Sequence, residues 1–424
     1  MQAIISNRIY LQYDDSVYSC IRKLLTYSIP QGRPGAPNIE ICDVQRIRNA
    51  ISIPIGRQDL IPQHYEIIDK RIDKPVYVPK PTFVLRESQQ HIYDNFSESC
   101  IILGKVGFGK TITALSLIYK LQQKTLILVH TSILLDQWKR EIKKWFNIDA
   151  GIIQAKNFEI NNPIVIATVQ TAIKYTDNIS KEFGVVIVDE AHHTPASTFT
   201  KILNKSKAKY KIALTGTMNR KDGMGVMIPD YFFPKYFQPK QENIIKPEVH
   251  IYSTDIQLPV AKDWVTKVSL LLQDPEYIEL LYTLCKVYVQ KGHKVLLVSD
   301  RIALLEELYE LLPESILVTS KTKDRERELA LINGKDRHII LGSVGIFKEG
   351  TNIPILSCLI FGMQVSDNLL LLEQVIGRIM RKDSNKCKPV VVDTVLTGGM
   401  GLSQAAKRYA FYSREGYTIK NFYA

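Results

Sequence analysis

Cysteine is sparse and unpaired in this sequence. Six occur among 424 residues, Cys20, Cys42, Cys100, Cys285, Cys358 and Cys387, and none forms a C-x-x-C pair. That argues against thiolate zinc and iron–sulfur centres and suits a reducing compartment. Long apolar runs are missing as well: nothing approaches the ~20 residues that cross a bilayer. The opening MQAIISNRIYLQYDD lacks the charged start, apolar centre and cleavage site of a secretory leader. An intracellular, soluble protein is expected. Acids are the minority charge, 43 Asp+Glu against 55 Lys+Arg, a formal +12, and no nuclease-like acid cluster appears. The surplus is equally that of a merely basic surface, but in a nucleotide-binding protein it favours a polyanionic partner over an acidic small substrate.

What is present centres on GKVGFGKT, Gly104 to Thr111, which fits G-x-x-x-x-G-K-[ST]. The apolar run Cys100 to Leu103 reads as a buried strand before it, and Ile112, Leu115 and Tyr119 mark one face of a helix after it. Strand, glycine loop and helix in that order bring backbone N–H groups and a helix N-terminus onto an anion. Gly104, Val106, Gly107, Phe108 and Gly109 would line the cradle, the glycines admitting the phosphates closely. Lys110 would reach the β- and γ-phosphates and the Thr111 hydroxyl would ligate Mg²⁺.

The chain before this loop is less legible. Residues 1–80 predict a small α+β unit: a strand over Ala3–Leu11, a helix over Ser16–Tyr27, a loop over Pro30–Pro37, a helix or strand over Ile41–Ile55 and a strand over His64–Ile72. Asp73 to Phe83, with three prolines, reads as a stiff extended linker. Residues 81–240 then alternate apolar strands with helices. Thr125–Val129 leads into a helix with a buried stripe of Leu134, Leu135, Trp138, Ile142 and Trp145, and Lys139, Arg140, Lys143 and Lys144 on its other face. Ile164–Ala167 ends in Thr168-Val169-Gln170-Thr171, Val185–Val188 in Asp189-Glu190-Ala191-His192-His193, and Ile212–Leu214 in Thr215-Gly216-Thr217. Such alternation implies a parallel sheet covered on both faces, with ligands at the carboxyl ends of its strands.

Tyr231 to Gln257 predicts only a thin connection. A second α/β block over 241–424 follows: helices at Pro275–Lys291, Ile302–Leu312, Asp324–Asn333 and Glu373–Lys382; strands at Val295–Val298, Ile316–Thr319, His338–Leu341, Cys358–Phe361 and Pro389–Asp393; and a basic, tyrosine-rich helical tail. The fold class expected is α/β: a pair of related parallel-sheet domains in tandem with a small N-terminal α+β accessory domain.

Two acids after a fully apolar strand supply what a triphosphate site needs opposite the glycine loop. Asp189 would hold Mg²⁺, and Glu190 would orient and deprotonate the attacking water. His192 reads either as a coupling residue or, like His193, as a satisfied strand-end histidine. Gln374, Gly377, Arg378 and Arg381 form Q-x-x-G-R-x-x-R, expected on one helix with both arginines on one face, positive charge for a transferring γ-phosphate.

GKVGFGKT, VDEAHH, LTGT and QVIGRIMR, in this order and spacing, resemble the motifs of superfamily 2 helicases. They are most similar to the branch of the xeroderma group B repair helicase, poxvirus transcript-release helicases and phage branch-migration helicases. The likeness runs from about Pro81 to the end. It implies two RecA-like domains, ATP and Mg²⁺ dependence and 3′-to-5′ translocation on nucleic acid; the substrate expected is DNA, single-stranded, forked or branched. A monomer is expected, in a bacterial host or virus-infected cell, with replication or recombination proteins as possible partners. By motif, Gln89 would read adenine with Arg86 beside it. Thr215 and Thr217 would link ATP state to DNA grip, and Ser343, Gly345, Glu349 and Gly350 would touch DNA backbone and nucleotide. Thr131, Ser132, Thr168 and Gln170 would grip the strand. Arg220-Lys221-Asp222 departs from the branch's Arg-Glu-Asp by a charge reversal that bears on Arg220. An RNA helicase, a transcript-release factor or a duplex translocase without unwinding would share these motifs; a scaffold with a decayed ATPase would not need Lys110, Asp189, Glu190 and Arg381 intact.

Overall fold

The computed structural model describes residues 1–424 except 31–36, 194–196, 219, 221, 233–234, 241, 243, 262, 323–328, 335, 349–352, 363–368 and 424. The chain forms two compact units, Met1–Glu242 and Asn243–Ala424.

The first unit is built on an eight-stranded sheet. Its order is Asn157–Phe158, Gly151–Gln154, Ile164–Thr168, Thr125–Val129, Val185–Val188, Tyr210–Thr215, Cys100–Leu103 and Tyr236–Phe237. All pairings are parallel except that of the two-residue edge strand Asn157–Phe158. The inner strands are apolar on both faces because helices cover both. The loop helix, Lys110–Leu121, is likewise enclosed nearly all round: Ala114, Leu115, Leu117 and Ile118 are its core residues, whereas Ile112 and Tyr119 are only half-buried. The expected one-sided stripe is therefore too narrow, as happens when a helix is packed between a sheet and a neighbouring helix.

A small module precedes this sheet. The expected strand over Ala3–Leu11 is two strands, Gln2–Ile5 and Ile9–Gln12, joined by a turn in which Ser6 N–H donates to Arg8 O at 2.9 Å. They pair with Ala50–Ile53 and Glu66–Asp69 in a five-stranded sheet beside the helix Asp15–Leu24. Thr26–Ile29 and Ile39–Cys42 form a separate hairpin. The module is clamped to the rest of the unit. Asp230, 1% exposed, accepts from the Tyr27 hydroxyl at 2.8 Å and lies 3.5 Å from the Arg57 guanidinium. Its carbonyl accepts from Gly56 N–H, and a Cβ at Gly56 would meet Phe232 O at 1.9 Å, so the backbones touch. Burial raises the Asp230 carboxyl to about 6.

The segment read as a free linker is stitched down too. Val76 N–H donates to Gln122 O, Val78 N–H to the Gln122 side chain, and Val78 is fully buried.

The second unit carries a seven-stranded, all-parallel sheet: Ser315–Val318, Ile339–Ser343, Val295–Ser299, Cys358–Phe361, Val390–Thr397, Glu248–Gln257 and Thr418–Tyr423. Two of these strands depart from expectation. Glu248–Gln257, within the supposed connection, is the longest strand in the sheet. Its alternation of polar and apolar residues hides a strand whose polar members are bound locally, His250 to Tyr288 and Glu248 to Lys388 and Lys420. Beyond the helix Gly399–Arg414 the tail adds an edge strand instead of ending. Half of the helix expected over 324–333, residues 324–328, falls outside the described residues; Leu329 and Ala330 are helical and Leu331–Asn333 is a 3-10 turn.

Candidate nucleotide site

The glycine loop crosses from the strand Cys100–Leu103 to the helix that starts at Lys110. Gly107 and Gly109 have φ of +87° and +93°, the left-handed region where glycine alone is unstrained. At Gly109 a Cβ would also meet Gln89 Nε2 at 2.6 Å. The loop is braced from one side by the helix Glu87–Asn95: Gln89 Nε2 donates to Phe108 O at 3.1 Å, and Arg86 Nη1 to the same carbonyl at 3.2 Å. Gln89 is 2% exposed and its amide oxygen accepts Arg86 N–H, so the residue expected to read adenine is engaged with the loop backbone. Phe108 presents its carbonyl here while its ring packs in the core. The Lys110 ammonium donates to Gly104 O at 3.0 Å, and Val106 and Thr111 are half-buried.

Asp189 and Glu190 follow the strand Val185–Val188. Asp189 is 7% exposed, and its two oxygens accept from Trp138 Nε1–H at 2.9 Å and Glu190 N–H at 3.0 Å. Burial, then the neighbouring Glu190 carboxylate, push the Asp189 carboxyl up, while the Trp138 bond and Lys110 oppose them. Trp138 was legible only as part of an apolar stripe; the fully buried ring carries the donor that favours the charged form. Glu190 sits at φ +49°, uncommon for a non-glycine residue and here at an acid beside the loop.

A bound Mg²⁺ fits this donor set. Two adjacent carboxylates, one nearly buried, and a hydroxyl at the loop are hard oxygen ligands, and a divalent ion would relieve the repulsion that raises Asp189. Thr111 and Asp189 would hold it.

Beyond the acids, His192 is 3% exposed. Its Nδ1 lies 3.3 Å from Glu190 Oε2 and 3.2 Å from Thr215 Oγ1, the latter donating to Thr217 O at 2.7 Å. The His193 ring packs, tilted, against His192 and His130, each at 4.3 Å between centroids. His130 O accepts from Gln170 Nε2 at 3.0 Å, and Thr131, next in the chain, caps the helix Ser132–Phe146. Ser132 and Gln170 are exposed; Thr168 is buried, its hydroxyl donating to Thr171. Arg220 donates to His192 O and forms a bidentate pair with Asp222. Lys221, the reversed charge of that triplet, lies outside the described residues.

In the second unit, the helix carrying Gln374 and Arg378 spans Leu369–Ile379 and stops before Arg381. The two arginines therefore do not share a helical face. Arg378 donates to Phe347 O at 2.9 Å and Lys348 O at 2.7 Å, fastening the short helix Val344–Lys348, while Arg381 pairs through its backbone with Ile244. Gln374 is 5% exposed. Ser343 ends a strand and Gly345 is open, with nothing within 4 Å of a Cβ there. Glu349 and Gly350 lie outside the described residues. No helix among the described residues is long and apolar enough to cross a membrane.

Residues 82–220 match the family model of the type III restriction enzyme res subunit, and 276–383 that of the helicase conserved C-terminal domain. The "Probable helicase D10" of Escherichia phage T5 is 39% identical, the match covering 98% of this chain and 95% of the relative. The "DNA 3'-5' translocase XPB2" of Sulfurisphaera tokodaii is 26% identical over 49% of this chain and 48% of its own length. Among solved structures, S. cerevisiae Dbp5 bound to RNA and ADP BeF3 aligns with a TM-score of 0.58 at 12% identity, covering 80% of this chain and 89% of that one, a likeness of fold. The phosphate loop, the acid pair and these matches together make the chain a member of the superfamily 2 helicases, related to XPB and to the phage helicases.

Proposed function

We propose that the chain is an ATP-dependent DNA helicase or translocase moving 3′ to 5′, acting on forked or branched DNA in replication, recombination or repair. One observation carries this reading: along the carboxyl edge of the first sheet, exposed Gln170 and Ser132 follow the neighbouring strands Ile164–Thr168 and Thr125–Val129, Asp189 and Glu190 follow the next strand, and the triphosphate loop with Lys110 follows Cys100–Leu103, one strand further on beyond Tyr210–Thr215. The +12 charge favours a polyanion as the second ligand.

In this mechanism Lys110 neutralises the β- and γ-phosphates, and Mg²⁺ held by Thr111 and Asp189 would supply further charge stabilisation. Glu190 orients the attacking water and accepts its proton. Arg381 contributes positive charge as the γ-phosphate leaves, and Arg378 holds in register the short helix Val344–Lys348, which carries Gly345 and follows Ser343. Thr215, Thr217 and His192 tie the acids to the strand-gripping loops. Contacts of Thr131, Ser132 and Gln170 are to phosphates, so substrate choice rests on nucleic-acid shape.

The test compares ATP-driven unwinding by the intact protein and Lys110→Ala on tailed duplex, fork, four-way junction and RNA duplex. Activity of the intact protein on the DNA forks and junctions, lost with Lys110→Ala, supports the reading. Preference for the RNA duplex would make it an RNA helicase or transcript-release factor; ATP hydrolysis surviving Lys110→Ala would overturn the site.

A further inference from the structure

The first unit contains a row of three imidazoles, of which the mechanism above uses only His192. His192, His193 and His130 lie against one another in that order, with ring centroids 4.3 Å apart at both steps and the rings tilted by 40° and 44°. One end is fixed at the chemistry: His192 Nδ1 is 3.3 Å from Glu190 and 3.2 Å from Thr215. The other end is fixed at the proposed nucleic-acid edge. His130 closes the strand Thr125–Val129, its carbonyl holds Gln170 at 3.0 Å, and the next residue, Thr131, caps the helix Ser132–Phe146. The row thus joins the ends of three different strands, Val185–Val188, Thr125–Val129 and Ile164–Thr168, the first two through ring contacts and the third through the Gln170 bond to the His130 carbonyl.

We infer that His193 and His130 are positioning residues through which nucleic acid seated at Ser132 and Gln170 sets the orientation of Glu190, and so turns hydrolysis up. The inference rests on the motor reading above. Packed rings resist small displacements because close packing leaves no slack between them. A shift of the Thr131 turn or of Gln170 moves His130, and His193 cannot stay in place without moving His192. Glu190 is the natural receiver: its left-handed backbone, at φ +49°, is held only by its surroundings. The row also explains why two histidines follow the acids: the first bonds to Glu190 and Thr215, and the second spans to the neighbouring strand.

The experiment measures ATP turnover with and without oligodeoxythymidylate, and in parallel oligouridylate, for the intact protein and for His193→Ala, His130→Ala, His193→Phe and the double alanine variant. Both alanine variants should keep the unstimulated rate and the half-saturating oligonucleotide concentration within about twofold, while the stimulated plateau falls about three- to tenfold. His193→Phe, which preserves a packed ring, should recover more than half of the plateau. The double variant should lose no more than either single one. A full plateau in the alanine variants, an equal fall in the unstimulated rate, or phenylalanine no better than alanine would each overturn the relay. If an alanine variant melts early, His193→Gln supplies the state without a ring under the same criteria. An intact protein that hydrolyses ATP but responds to neither oligonucleotide would refute the motor reading and the relay with it; an intact response that survives His193→Ala refutes the relay alone.

Discussion

Trp138→Phe isolates one bond in the proposed metal-binding acid. The indole N–H lies 2.9 Å from Asp189 Oδ2, with the ring fully buried and the carboxylate 7% exposed. A hydrogen bond to a charged group contributes about 1.5–3 kcal/mol, equivalent to about 1–2 pKa units. The bond favours the carboxylate, so its loss raises an Asp189 carboxyl that burial and Glu190 have already raised. Turnover needs Asp189 ionised, and the acidic limb of the kcat/KM profile, which reports the free enzyme, should therefore move upward by about 1–2 pH units. At neutral pH the variant should be slow and demand more Mg²⁺, and above pH 9 it should approach the intact rate. Phenylalanine keeps most of the ring's packing, so a modest fall in Tm is expected alongside. The measurement is steady-state ATP hydrolysis from pH 5.5 to 9.5 at several Mg²⁺ concentrations. A rate loss that stays constant across pH would show that the tryptophan serves packing alone; an unshifted limb with full activity would show that Asp189 does not depend on it.

Arg381→Ala should lower kcat by far more than it raises KM for ATP, because charge on the transferring phosphoryl group builds in the transition state; equal changes in both would indicate simple binding. Lys211 offers a stability test. It is 1% exposed, its ammonium donates to Leu203 O at 2.9 Å, and burial lowers it to about 7 from 10.5. The fold prefers the neutral amine, so between those values the unfolded chain holds a proton that the folded one has released, and stability rises with pH across that window. The gain is at most about 5 kcal/mol. Lys211→Met should remove that rise in denaturant unfolding between pH 7 and 10; an unchanged slope would contradict it.

How much of this was readable in the residues depended on whether chemistry and periodicity coincided. The glycine loop and the strands Cys100–Leu103, Thr125–Val129 and Val185–Val188 were plain, because strands buried on both faces are continuous apolar runs. Glu248–Gln257 was missed because its polar residues, satisfied by distant lysines and Tyr288, imitate a surface segment. The helix of Gln374 was extended too far: Met380 and Arg381 continue its composition, but there the backbone turns to pair with Ile244. Trp138 belonged to its apolar stripe as expected, and nothing in spacing says that an indole points its N–H at an acid fifty-one positions away. The same holds for His193, whose partner His130 is near only because two strands are adjacent.

The clamp around Asp230 bears on how this enzyme could be dissected. A fragment beginning at Pro81 would strip Tyr27 and Arg57 from a carboxylate sunk in the wall of the remaining body. It would also uncover part of the apolar cluster that Tyr27 and Ile41 now cover, which includes Phe232 and Tyr231. Such a cut removes groups that the remaining body is packed and bonded against, so the first eighty residues are better regarded as its outer wall than as a detachable arm.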